Sequence, residues 1–293
     1  MSESSTDPEV IRRAVERTYA AAADGATRTA EPTNATRLAG YTSDQLAGVP
    51  DGVTASFFGC GNPLSLAGVH PGQTVLDLGS GAGLDLILAG QAVGPTGCVI
   101  GIDMTDAMIE RARANVARAG LTNVEIRRGL IEALPVPDAS VDLVISNCVI
   151  SLSPEKDKVF REIARVLKPG GEMLISDIVV DRPVAWILRR LIRVVPSVAM
   201  ARTEDHYLRA MRDAGLVTPE IVSRLVYEPT DLIGLFADDV PVAAATPGTG
   251  GCPVGTFAER ARRSSLGTSA VRLVASAAAG HVWSARFRAR RER

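Results

Sequence analysis

Two cysteines stand in surroundings that suit a working thiol. Cys60 lies in Phe58-Gly59-Cys60-Gly61-Asn62-Pro63, and Cys148 in Ser146-Asn147-Cys148-Val149-Ile150-Ser151. A cysteine most often serves as a small buried hydrophobe. Cys98, in Gly97-Cys98-Val99-Ile100-Gly101, reads that way. Cys148 instead follows an apolar run, at the carboxyl end of an expected strand, where ligands bind in open α/β sheets. A second signal is Val75-Leu76-Asp77-Leu78-Gly79-Ser80-Gly81-Ala82-Gly83. Three glycines at alternate positions let the backbone turn tightly and approach a ligand closely. The spacing is G-x-G-x-G, not the G-x-G-x-x-G of dinucleotide sites. Asp103 ends the next apolar run, 20 residues after Gly83, and an acid there can bind ribose hydroxyls. The three histidines, His70, His206 and His281, stand in unrelated contexts, with no clear histidine–acid pair to act as a general base.

These residues need a scaffold, and the hydrophobic pattern describes one. Residues 1–40 read as helical, with Val10, Ile11, Val15, Tyr19 and Ala22 at helix-like spacing. Residues 41–68 are rich in Gly, Pro, Ser and Asp and read as loop with short turns. From Gln73 onward strands and helices alternate. TVLDL, CVIGID, NVEIRRG, SVDLVISNCVI and EMLISDIVV are expected strands. LDLILAGQAVG, TDAMIERARANVARAG and SPEKDKVFREIARVLKPGG are the helices between and beside them. Such alternation predicts a parallel sheet with helices on both faces. TEDHYLRAMRDAGL is an amphipathic helix, and EIVSRLVYEP a late strand. Four segments follow from the composition: 1–68, an N-terminal helix and loop segment; 69–182, the core; 183–239, a smaller C-terminal substrate region; and 240–293, a Gly/Pro linker with a basic tail. The tail from Phe257 carries nine arginines against Glu259 and Glu292. It is expected to be solvated or weakly helical.

Composition excludes several classes. The chain has 293 residues, 46% of them hydrophobic, enough for a sizeable core. Its net charge of −1 argues against holding nucleic acid by bulk charge. Aromatic residues make up 4%, too few for a base-stacking surface. The polar start has no apolar region of a signal peptide, and no uninterrupted apolar stretch is long enough to span a membrane. A cytoplasmic, reduced, monomeric protein is the expectation, since four cysteines are too few for a disulfide-stapled fold of this length.

The glycine-rich run with Asp77 resembles the first motif of class I S-adenosylmethionine-dependent methyltransferases. Gly129-Leu130-Ile131-Glu132-Ala133-Leu134-Pro135 looks like the adenine-side loop of that family, and SVDLVISN and VLKPGGEMLISD like its fourth- and fifth-strand motifs. The resemblance covers about residues 70–180. It implies an α/β fold, a doubly wound, mostly parallel, Rossmann-like sheet, with S-adenosylmethionine as cofactor. By analogy Asp77, Gly79, Ser80 and Gly81 belong to the cofactor site, the last three against the methionine part. Asp103 would bind the ribose, Met104 would pack on the adenine with Ile131 and Glu132 at its edge, and Asn147 would line the methionine end.

FGCGNP before VLDLGSGAG, then IGIDMT and ISNCVISLSP, resembles the arsenite S-adenosylmethionine methyltransferases more specifically, over about residues 10–215. That resemblance implies methylation of trivalent arsenic held by Cys60 and Cys148, with glutathione or thioredoxin as the thiol reductant. The chemistry agrees, because trivalent arsenic is thiophilic and its lone pair needs no general base. In-line transfer then rests on proximity and alignment. One position departs from the family: Ser197 stands where a third thiol is common. The third ligand is then an external thiol or Cys252, or the substrate is methylarsenite, which needs only two thiols. An organic metabolite is the alternative substrate, for which Trp186–Val195 would line a pocket.

Overall fold

The computed structural model describes residues 7–25, 34–182, 198, 200–228, 230–231 and 278–293. Trp186–Val195, Ser197, Cys252 and the Gly/Pro linker 240–256 lie outside the described residues. A seven-stranded sheet runs through the molecule. Its strands are β1 (Thr74–Leu78), β2 (Cys98–Asp103), β3 (Val124–Arg128), β4 (Val141–Asn147), β5 (Leu167–Val180), β6 (Leu216–Val226) and β7 (Val282–Arg291). The order across the sheet is β3-β2-β1-β4-β5-β7-β6. Strands β1 to β5 pair in parallel, and β7 runs antiparallel to both β5 and β6.

The central strands are apolar on both faces, as a doubly covered sheet requires. Alternate residues go to opposite sides. Val75, Val99, Leu143 and Ile145 pack on α5 (Leu84–Val93) and α6 (Asp106–Arg118). Leu76, Leu78, Ile102, Val144 and Ile175 pack on α7 (Lys156–Val166) and α8 (Glu204–Asp213). Before the sheet come α1 (Pro8–Gly25), α2 (Asn34–Leu38), α3 (Ser43–Leu46) and α4 (Leu64–Ala67). Among the described residues the expected N-terminal helix is thus α1 with the short α2, and the expected loop carries the short helices α3 and α4.

Strand order reverses between β1 and β4, and the crevice outside the carboxyl ends of such a pair is where open α/β sheets bind ligands. The glycine-rich turn follows β1, and Cys148 follows β4.

The reading of the basic tail as solvated or weakly helical is overturned for residues 282–291. They form an inner strand. Ala285, Phe287 and Ala289 are buried, and Phe287 stacks on Tyr207 with ring centroids 4.9 Å apart. The intervening arginines face the other way. Arg288 reaches Glu172 at 3.2 Å, and Arg286 donates to the Ala39 carbonyl at 3.3 Å. The period-two alternation in Ser284-Ala285-Arg286-Phe287-Arg288-Ala289-Arg290 is a strand signal, hidden by the number of charges.

Candidate active site

A cavity of about 1050 Å3, counted to its open mouth, occupies the crevice. Asp77, Gly79, Ser80, Gly81, Asp103, Met104, Ile131, Glu132, Asn147 and Cys148 all line it. The sequence-predicted residues other than Cys60, which is not among those lining the cavity, therefore converge from β1, β2, β4 and the loop after β3. Gly79, Gly81 and Gly83 have φ of 67°, 52° and 93°, values that glycine adopts without strain. A Cβ on Gly79 would lie 2.7 Å from Val149 Cβ, so the turn also needs the missing side chain. Asp103 is set by backbone donors: Gly81 N–H to one oxygen at 2.9 Å and Thr105 N–H to the other at 2.8 Å.

The cavity is acidic at its inner end. Asp77 and Asp85 are buried together, and burial lifts both carboxyls, Asp85 to about 6 and Asp77 in the same direction, with Asp85 and Asp103 adding repulsion at Asp77. Tyr41 Oη donates to Asp85 Oδ1 at 2.6 Å, and Asn147 Nδ2 lies 3.1 Å from Asp85 Oδ2. Ser56 and Ser80 also line the space, and their hydroxyls are buried without a partner among the described residues. Clustered carboxylates and orphan hydroxyls fit a ligand that is cationic and rich in polar groups, with Met104 and Ile131 as an apolar seat for a flat ring.

Asn147 does more than line the cavity. Its Oδ1 accepts from Cys60 N–H at 2.9 Å and Gly61 N–H at 3.2 Å, and its Nδ2 donates to the Gly61 carbonyl at 2.6 Å. The side chain clamps the Cys60 loop onto the end of β4. The flanking glycines permit this closeness. A Cβ on Gly59 would lie 2.5 Å from Asn147 Nδ2, and one on Gly61 2.6 Å from Ser176 Oγ. Asn62, fully buried, ties the loop's other side to Gly40 and Gln45.

Cys60 and Cys148 are both buried, carry thiols rather than a disulfide, and pack in one cluster with Ile178 and Val180. Cys148 has φ of 64°, a left-handed backbone that costs a non-glycine residue about 1–3 kcal/mol and persists where surroundings impose it. Its N–H donates to the Ser176 carbonyl at 2.8 Å, which fixes that bend. A third group joins them. One ligand atom each from Cys60, Cys148 and Asp177 all lie within 4.8 Å of one another. Asp177 Oδ2 accepts from Ser151 N–H at 2.7 Å and Tyr207 Oη at 2.8 Å. Burial pushes the Asp177 carboxyl up, opposed by these hydrogen bonds and by the Lys156 ammonium.

Sequence reasoning named no role for Tyr41, Asp85, Asp177 or Arg12. Asp85, in the first turn of α5, is legible as an acid on an otherwise apolar helix. Asp177 sat inside the fifth-strand motif without an assigned task. Arg12 is reached only through α1, which folds over the cavity and pairs Arg12 with Glu132 at 3.4 Å and with Glu155. Two histidines meet an acid that their sequence contexts did not show, neither of them as a general base at the cavity. His281 Nδ1 lies 2.7 Å from Asp181, and His206 Nε2 3.9 Å from Asp157. Neither pair lines the cavity.

A family profile described as a methyltransferase domain matches residues 69–218. The chain is 56% identical over 144 residues to an arsenite methyltransferase of Halobacterium salinarum, covering 49% of this chain and 37% of that one. It is 42% identical over 164 residues to an arsenite methyltransferase of Aquipseudomonas alcaligenes, covering 54% and 47%. Its match thus spans less than half the length of these curated relatives. The crystal structure of an arsenic(III) S-adenosylmethionine methyltransferase from Chlamydomonas reinhardtii aligns with TM-score 0.61 at 31% identity, covering 90% of this chain and 75% of that one. Among the described residues no helix is long and apolar enough to cross a membrane.

Proposed function

We propose, from the premise that this chain belongs to the methyltransferase-domain family and within it to the arsenite methyltransferases, that it methylates trivalent arsenic with S-adenosylmethionine as methyl donor. The observation that carries the reading is the pair of buried thiols, Cys60 and Cys148, clamped together beside the cavity by Asn147. Two converging thiols match a thiophilic trivalent arsenic.

When bound, S-adenosylmethionine supplies an electrophilic methyl group on a cationic sulfur. Asp77 and Asp85 supply negative charge for a cationic ligand, and Gly79, Ser80 and Gly81 let it approach the backbone. Asp103 retains acceptor capacity for a ribose hydroxyl. Met104, Ile131 and Glu132 hold the adenine. Cys60 and Cys148 bind arsenic as thiolates and leave its lone pair as the nucleophile. The chain then needs no general base at the arsenic. Phe57, Phe58 and Val149 keep water from this end of the cavity. Methyl transfer leaves the arsenic formally pentavalent; Cys60 and Cys148 supply the two electrons that return it to the trivalent state, joining in a disulfide, and glutathione or thioredoxin then reduces that disulfide to the two thiols.

The test is direct. Purified protein is incubated with S-adenosylmethionine, glutathione and either arsenite or methylarsenite, and the arsenic species are separated. Methylated arsenic is expected, and Cys148→Ser is expected to abolish it while cofactor binding, read by calorimetry, persists. Unchanged arsenic with cofactor bound would sink the reading, as would full activity of the serine variant.

A further inference from the structure

Two thiols satisfy only two of the three valences of inorganic arsenite, and the described residues place one other donor beside them. Resting on the reading of trivalent arsenic as substrate, we propose that Asp177 is the third ligand of arsenite, its carboxylate oxygen taking the valence that Cys60 and Cys148 leave open.

The placement follows from the sheet. Asn147 and Ser176 are register partners on the parallel strands β4 and β5. The residues that follow them, Cys148 and Asp177, therefore emerge side by side, and the clamp on the Cys60 loop adds the second sulfur. The three ligand atoms lie within 4.8 Å of one another, and all three residues are buried. Asp177 has no exposed surface at all. A buried carboxylate is costly unless it is held and used. It is held at Oδ2 by Ser151 N–H and Tyr207 Oη. Among the described residues Oδ1 accepts only from the N–H of the adjacent Ile178, at 2.9 Å. A carboxylate oxygen accepts more than one contact, so Oδ1 keeps capacity for a ligand. The Lys156 ammonium, held by the Ser151 and Ser153 carbonyls, adds favourable charge to the ionised form.

The exchange balances without oxidant or reductant. Arsenite gives up three hydroxyls. The two thiols and the carboxylic acid each contribute a proton, three waters leave, and two As–S bonds and one As–O bond form with arsenic still trivalent. Methylarsenite has only two hydroxyls to exchange, and the two thiols use both. Asp177 then has no valence to fill. The role is therefore specific to the unmethylated substrate, which distinguishes it from a purely structural anchor for Ser151 and Tyr207.

Equilibrium dialysis with a non-thiol phosphine reductant, with bound arsenic quantified by mass spectrometry, reads this on the full chain. The wild type is expected to bind both arsenicals. Asp177→Asn is expected to weaken arsenite by about tenfold or more, the loss of one charged ligand, and to leave methylarsenite within about twofold. Equal weakening of both, or of neither, overturns the proposal. If the variant does not fold, infrared difference spectra of wild-type protein labelled with 13C-aspartate replace it. Arsenite should shift a carboxylate band that methylarsenite leaves in place, and no arsenite-specific shift overturns the proposal. A wild type that binds neither arsenical removes the parent reading together with this one. Binding of methylarsenite without the arsenite-specific effect removes only this one.

Discussion

Asp85 shows how a single residue couples burial to ligand charge. Water is removed from its carboxyl, and the proton is held up to about 6 against an ordinary value of 3.8, while Tyr41 and Asn147 pull the other way. Between those two values the unfolded chain has released the proton and the folded chain still keeps it. The ligand-free protein therefore loses stability as pH rises through that window. A bound cation reverses the preference, because it favours the ionised form. Affinity for S-adenosylmethionine is expected to rise about tenfold from pH 5 to pH 7, the span over which a group titrating near 6 becomes charged. Asp77 shifts in the same direction, so the profile reports the pair. Calorimetry across this range checks it, and a flat profile would mean that the carboxylates do not face the ligand's charge.

At the scale of an element, α1 is the part of the scaffold that closes the cavity. Its Arg12, Val15 and Tyr19 line the mouth. Tyr19 meets Phe58 edge to face at 5.7 Å, and Arg111 donates to the Ala23 carbonyl. Arg12 reaches Glu132, which also accepts from Ser153 Oγ at 2.6 Å. The arginine and its partner are largely shielded, with side-chain exposures of 17% and 6%, so this pair is screened less than a surface one. Arg12→Ala is expected to loosen the helix and raise the dissociation constant for S-adenosylmethionine about threefold to tenfold, equivalent to one partly shielded ionic contact. Protease cleavage within residues 8–25 should accelerate in parallel. Unchanged affinity and unchanged cleavage would show that α1 is held by its apolar face alone.

For the whole molecule the decisive strand is β7. It pairs with β5 from Glu172↔Arg290 to Val180↔Val282 and with β6 on its other edge. Without it β6 has no strand partner among the described residues, and the core around Tyr207 opens. Phe287 fills that core between the sheet and α8, and Tyr207 in turn packs against Phe160 at 5.8 Å. Phe287→Ala is expected to destabilise by about 3–5 kcal/mol, a large share of the roughly 5–15 kcal/mol that holds a domain together. Urea unfolding followed by circular dichroism measures it, and an unchanged midpoint would show that the strand contributes little. The same stack holds Tyr207 against Asp177, so this packing reaches the candidate site.

The parallel strands and the glycine-rich turn were legible in the sequence because local chemistry sets them. Two-sided burial demands continuous apolar runs, and a tight turn demands glycine. Cys60, Cys148 and Asp103 were legible as candidates by their place next to those runs, and Asn147 only through the family resemblance. Their meeting in space was not. Asp177 becomes a neighbour of Cys148 through the register of β4 on β5. Tyr41 and Asp85 meet through the packing of the loop before the sheet onto α5. Val282–Arg291 becomes an inner strand because two edges wait for it and Glu172 and Glu220 stand beside its arginines. Residue type and short spacing determine turns, strands and the class of chemistry. Pairing register and long-range packing decide which groups converge, because those contacts join residues far apart in the chain and leave no mark on the local pattern.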